Sequence, residues 1–105
     1  MDIEKVEHNV KEASGLLKAL SSERRLMIVC ALYKGEKSVG ELEQIVGLSQ
    51  SALSQHLAKL RQCKIVSTRR DAQTIYYSIS DPAAHAVLKT LHDIFCPDEK
   101  SDGKP

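Results

Sequence analysis

The sequence holds no uninterrupted apolar run long enough to span a bilayer, and it opens Met1-Asp2-Ile3-Glu4, with acids where an export signal would carry an apolar block. This reads as a soluble, cytoplasmic protein with no membrane partner. Cysteine is scarce as well. Cys30, Cys63 and Cys96 are too few and too widely spaced for a secreted disulfide framework or a Cys-x-x-Cys metal knuckle, so thiols in a reducing compartment are expected. Internal repeats and low-complexity tracts are absent. At 105 residues the chain is one small domain, and domains of this size bury a limited share of their surface, which makes help from a second subunit plausible.

A charge imbalance is lacking overall, since the net charge is only +1, but the charges are unevenly placed. Residues 49–80 carry Lys59, Arg61, Lys64, Arg69 and Arg70 against Asp71 alone, for +4, whereas 1–20, 21–48 and 81–105 carry −1, 0 and −2. A local basic stripe in an otherwise neutral chain is the footprint of a polyanionic partner; on charge alone a solvated Lys/Arg face is the competing reading.

What is present is periodicity. Ile3, Val6, Val10, Ala13, Leu17 and Leu20 recur in steps of three and four, the spacing of a narrow apolar seam on a helix. Ser22 to Tyr33 opens on a good N-cap and then turns almost wholly apolar, which describes a helix buried on most sides, stopped by Lys34-Gly35-Glu36-Lys37. A short helix follows from Ser38 to Val46, ended by Gly47, and Ser49 caps the next.

That next helix contains SQSALSQHL, residues 49–57, with Ser and Gln where a solvated face would ordinarily carry Glu and Lys. An advance of about 100° per residue puts Leu53, Leu57 and Leu60 on one stripe and Ser51, Gln55 and Gln62 opposite, with Ser54 and Lys59 flanking. Two helices joined by Gly47-Leu48-Ser49 form a helix-turn-helix whose second helix can enter a major groove, where Gln bonds adenine and Ser takes a base edge or a phosphate. Ile65–Arg70 and Thr74–Ile79 read as strands joined at Asp71-Ala72-Gln73 into a hairpin, with Arg69 and Arg70 at its tip to grip phosphates or a narrow minor groove. Ser and Gln on a lone helix are often mere surface; the conjunction of turn, amide-rich face, basic excess and arginine-bearing hairpin favours double-stranded DNA. His56, at the edge of the apolar stripe, reads as a packing or phosphate contact. Of Tyr76 and Tyr77, which alternate faces, one is expected in the core.

The element order and the run SVGELEQIVGLSQSALSQHLAKLR (Ser38 to Arg61), followed by Arg69-Arg70-Asp71-Ala72-Gln73-Thr74-Ile75-Tyr76-Tyr77, resemble the ArsR/SmtB family of winged helix-turn-helix repressors over roughly residues 14–96. The likeness is closest to its metal-independent, persulfide-sensing BigR/SqrR/HlyU-like subgroup. The resemblance implies a mainly α fold with a β-hairpin wing in ααααββα order. It implies a homodimer formed through the first and last helices, and release of operator DNA when an inducer binds. The seam from Ile3 to Leu20 and the stripe Val87, Leu88, Leu91, Ile94 and Phe95 suit that interface on their own evidence. Residues 1–96 form one DNA-binding and sensing domain, with 97–105 a disordered tail. The expected DNA contacts are Ser49, Gln50, Ser51, Ser54, Gln55, His56, Lys59, Arg69, Arg70 and Gln73.

The resemblance also bears on the inducer. The Glu-Leu-Cys-Val-Cys-Asp type box of metal-sensing relatives is absent. Asp81, His85, His92 and Asp93 on the last helix leave zinc sensing through His85 and His92 as the alternative, against histidines merely solvated at an interface. By the subgroup's pattern, Cys30 (in Ile28-Val29-Cys30-Ala31-Leu32) and Cys96 (in Phe95-Cys96-Pro97) are the reactive pair. A thiolate attacks the sulfane sulfur of a persulfide and the second thiol resolves the product into an intrasubunit disulfide or polysulfide bridge. From the residues alone, Cys30 reads first as a small buried hydrophobe. Cys63 departs from that pairing and reads as incidental packing. No cofactor is expected. Two rival classes remain: a thiol-dependent enzyme, for which no base or oxyanion grouping is readable near either cysteine, and a winged helix that binds protein instead of DNA.

Overall fold

The computed structural model describes residues 2–96. All five helices among them begin on a residue whose short side chain carries an oxygen, and each of those oxygens accepts a backbone N–H of the first turn: Asp2, Ser22, Ser38, Ser49 and Asp81. In chain order the protein holds α1 (Ile3–Leu20), α2 (Glu23–Tyr33), β1 (Lys37–Ser38), α3 (Val39–Val46), α4 (Gln50–Gln62), β2 (Val66–Asp71), β3 (Thr74–Ile79) and α5 (Pro82–Phe95). This is a winged helix-turn-helix, mostly helical with a small antiparallel sheet. The anticipated tail at 97–105 lies outside the described residues.

Two turn devices orient the helix pair α3 and α4. At the start of α3, Ser38 Oγ accepts the Glu41 N–H at 3.2 Å while Glu41 Oε1 accepts the Ser38 N–H at 2.8 Å, a reciprocal capping box. At its end Gly47 adopts φ 67°, ψ 24°, a left-handed conformation that costs glycine least, and Ser49 starts α4 two residues later. α4 ends differently. The Ile65 N–H returns to the Leu60 carbonyl at 3.0 Å and the Lys64 N–H to the Arg61 carbonyl at 2.9 Å, a Schellman closure in which Lys64 holds φ 62°. Ile65, 1% exposed, then plugs the core and directs the chain into β2.

The core gathers around α2, which packs against α1, α3, α4, α5 and β3. Ile28, Val29, Leu42, Leu53, Leu60 and Ala84 are fully buried, and Leu57 and Leu88 nearly so. The α4 stripe read from the sequence is therefore the side that seats α4 on the core. Tyr77 is buried and Tyr76 half-buried, as alternation requires.

Two expectations change. The sheet has three strands in the order β1-β3-β2, because the chain leaving α2 pairs Lys37 with Tyr77 and Ser38 with Tyr76 along the open edge of β3. A strand of two residues has no alternation to read. Second, α2 is not buried on most sides: Met27 and Cys30 are exposed, since the helix's neighbours leave this stripe uncovered within one chain. Among the described residues no helix is long and apolar enough to cross a membrane.

Candidate functional site

The polar and apolar faces of α4 separate as the helical spacing anticipates. Ser49, Gln50, Ser51, Ser54, Gln55 and Lys59 are exposed on α4 and His56 is half-buried, opposite the buried Leu53, Leu57 and Leu60. Ser49 Oγ caps the helix by accepting the Ala52 N–H at 3.2 Å and stands 3.5 Å from Ser51 Oγ. The helix has no acid in its first turn, and Lys59 and Arg61 stand in its last. Its N-terminal end thus presents hydroxyls, amides and the positive pole of the helix dipole, a surface suited to base edges and phosphates.

The wing is built on a six-residue antiparallel register from Val66↔Ile79 to Asp71↔Thr74. Arg70 and Gln73 are exposed near its end, and Ala72 in the turn holds φ 56°. Arg69 does not project from the tip. It lies opposite Tyr76, its guanidinium carbon 4.5 Å from the ring centroid, and donates from Nε to Glu36 Oε2 at 3.0 Å and from Nη2 to Glu36 Oε1 at 2.7 Å. The Arg69 bonds hold the Glu36 carboxyl below the usual carboxylate range. Glu36 had no signal in the sequence: it sits in the aperiodic connection after α2, and its partner is 33 residues away.

Cys30 and Cys96 open on the same groove, about 610 Å³ in volume, between α2 and α5, with Met27, Leu88, Leu91 and Phe95 among its mainly apolar walls. Cys30 keeps solvent access, which removes the reading of it as a buried hydrophobe. The apolar walls push its thiol pKa up, and charge on neighbouring Cys96 pushes it the same way. Cys63 is exposed at the α4 C-cap and lines a separate hollow with Leu16, Ile65 and Asp81.

His85 and His92 both contact the Tyr33 ring, with centroids at 5.0 and 5.5 Å, tying α5 to the end of α2. Among the described residues of one chain, no cluster of three or more His, Cys, Asp or Glu side chains is arranged to hold a metal ion. The α1 seam is open: Ile3, Val10 and Leu17 are 68%, 60% and 59% exposed, and on α5 Ile94 and Phe95 are 61% and 75% exposed. Apolar surface in that amount on two helices is what a partner subunit would cover.

A model of the bacterial regulatory proteins of the arsR family matches residues 22–68. The transcriptional activator HlyU of Vibrio cholerae is 48% identical, over 91% of this chain and 89% of that one. The nodulation protein NolR of Rhizobium meliloti is 57% identical over 79% of this chain and 68% of its own length. Among solved structures, reduced HlyU from Vibrio cholerae superposes with a TM-score of 0.85 at 49% identity, covering 88% of this chain and 97% of that chain. The transcriptional repressor BigR from Xylella fastidiosa gives 0.81 at 46% identity, covering 91% and 98%.

Proposed function

The chain belongs to the arsR family of bacterial DNA-binding transcriptional regulators, and from that premise we propose that it is a cytoplasmic homodimeric repressor whose inducer is a persulfide or polysulfide. The observation that carries the sensing half is the shared groove of Cys30 and Cys96. In the reduced dimer, paired through α1 and α5, the two α4 helices enter successive major grooves about 34 Å apart. Gln50, Ser51, Ser54 and Gln55 meet base edges, Ser49, His56 and Lys59 meet phosphates, and Arg70 and Gln73 extend the contact from the wing.

The chemistry proceeds by sulfur transfer. One groove thiolate attacks the terminal sulfur of a persulfide, RSSH, giving Cys–S–SH and releasing RSH. The second thiolate then attacks the cysteine's own sulfur and expels hydrogen sulfide, so that one RSSH and two thiols become a disulfide, RSH and hydrogen sulfide. Each further sulfur inserted into the bridge consumes one more RSSH and returns one more RSH. Such a bridge ties α2 to α5 inside one subunit and moves the α5 side of the dimer relative to the reading heads. Loss of register removes several phosphate contacts together, a coupling of about 1–3 kcal/mol or more, as for other allosteric pairs. One solved relative is described in a reduced form, a distinction that two groove-facing thiols would also give this chain. The sulfur transfer is stoichiometric sensing and not turnover.

DNA binding is tested by fluorescence anisotropy on a duplex that the wild-type chain selects from a random-sequence library, across a salt series. The expected result is steep salt dependence, with Gln55→Ala weakening binding by about 1–3 kcal/mol per half-site. Salt-insensitive binding, or a Gln55→Ala variant with wild-type affinity, would sink this reading in favour of a protein-binding winged helix.

A further inference from the structure

Two consecutive arginines on the wing have different surroundings. Strand residues alternate, so Arg69 and Arg70 stand on opposite faces of the sheet. Arg70 lies across from Ile75, exposed and beyond the packed part of the sheet. Arg69 lies across from Tyr76, which in turn lies across from Ser38 on β1, and antiparallel register puts these three side chains on one face. From there the Arg69 side chain runs over the central strand, rests on the Tyr76 ring at 4.5 Å and closes a two-point ion pair with Glu36, the residue before β1. It is a strap across all three strands. Two of the five guanidinium N–H donors are taken by Glu36 and one face of the group lies on the Tyr76 ring, so the side chain is directed along the sheet toward β1 and away from the wing tip.

The far end of the strap is anchored beside the thiol groove. Glu36 sits in the connection 34–38 between α2 and α3. From that connection Lys34 and Lys37 line the groove that holds Cys30 and Cys96, and Ser38 caps α3. A handful of residues therefore forms a wall of the groove, the anchor of the wing and the first cap of the helix-turn-helix.

We propose that Arg69 is a positioning residue and not a phosphate contact: its strap to Glu36 sets the angle of the wing relative to α4, and through the connection 34–38 it passes displacement of the groove wall to the wing. The inference rests on the reading of the chain as a DNA-binding regulator. The two roles for Arg69 predict opposite effects at Glu36. If Arg69 contacts phosphate, Glu36 competes for it, and removing the Glu36 charge tightens binding. If Arg69 is a strap, removing that charge frees the wing and weakens binding.

The test is anisotropy on the selected duplex over a salt series with Glu36→Gln, Arg69→Lys, Arg69→Ala, Arg70→Ala and the Glu36→Gln/Arg69→Ala pair, each first checked for an unchanged folded circular dichroism spectrum. Lys keeps the charge but cannot form the two-point bond or the stack. Glu36→Gln and Arg69→Lys should each weaken binding about fivefold with the salt slope unchanged, and the double variant should be no weaker than Arg69→Ala, since one shared interaction is lost once. Arg70→Ala should lower the slope by about 0.9 per subunit. Tighter or unchanged binding by Glu36→Gln, wild-type affinity in Arg69→Lys, or a slope loss in Arg69→Ala equal to that of Arg70→Ala would each overturn the strap while leaving DNA binding intact. A wild-type chain that shows no salt-dependent binding overturns the functional reading beneath it.

Discussion

Leu17 offers a direct test of dimerisation, because replacing it perturbs a surface and leaves the core of the single chain alone. It is 59% exposed on α1, in line with Ile3 and Val10. Leu17→Ala removes three carbons, worth about 2.4 kcal/mol at ~0.8 kcal/mol per buried methylene. Scaled by the 59% of the residue still available for burial, the loss is about 1.4 kcal/mol per copy. A two-fold dimer counts the residue twice, so the dimer should lose about 3 kcal/mol, and its dissociation constant should rise about a hundredfold. Sedimentation velocity over a dilution series reads that constant, with a circular dichroism spectrum as the control for folding. A Leu17→Ala dimer within twofold of wild type, or a wild type that sediments as a monomer at every concentration, would refute the assignment of α1 to the interface.

Three further outcomes follow from local geometry. Lys64 closes the α4 Schellman motif at φ 62°, so Lys64→Gly should raise stability by about 0.5–1 kcal/mol in urea unfolding, net of glycine's larger unfolded-state entropy. Ser38→Ala removes one arm of the α3 capping box and should cost about 1 kcal/mol in the same assay. Burial and Cys96 raise the Cys30 pKa above the ordinary value of 9.0, so less thiolate is present at neutral pH than in a free cysteine. Its alkylation by iodoacetamide, followed by peptide mass spectrometry in a Cys63→Ser background, should climb with pH through a midpoint above that value; a midpoint below it would contradict the placement of Cys30 against apolar walls.

The helices and the exposed polar face of α4 were legible in the sequence because their causes are local. Each cap is a single short side chain, and the α4 stripe of Leu53, Leu57 and Leu60 sits at helical spacing, so the opposite face of Ser and Gln followed. The side of α2 that stays open was not legible, since Met27, Cys30, Ile28 and Val29 are all apolar and periodicity cannot tell a core stripe from a groove wall. β1 was invisible because two residues carry no pattern and the pairing that defines them comes from β3. Arg69 was read as a wing-tip cation because charge runs along the sequence, whereas its partner Glu36 is reached only when the sheet folds across Tyr76. Local causes such as caps and helical spacing can be read along the chain, whereas a contact such as Arg69–Glu36 exists only once distant segments meet.

The central claim is that two groove thiols in one subunit join through sulfur and thereby release DNA. The measurement that tests it is anisotropy of the reduced protein on its selected duplex after an organic persulfide, with intact and peptide mass spectrometry of the same sample. The account predicts release from DNA together with a Cys30–Cys96 bridge within one chain, and no release in Cys30→Ser or Cys96→Ser. Release by zinc with both thiols unmodified, or release by persulfide in either Ser variant, would contradict it.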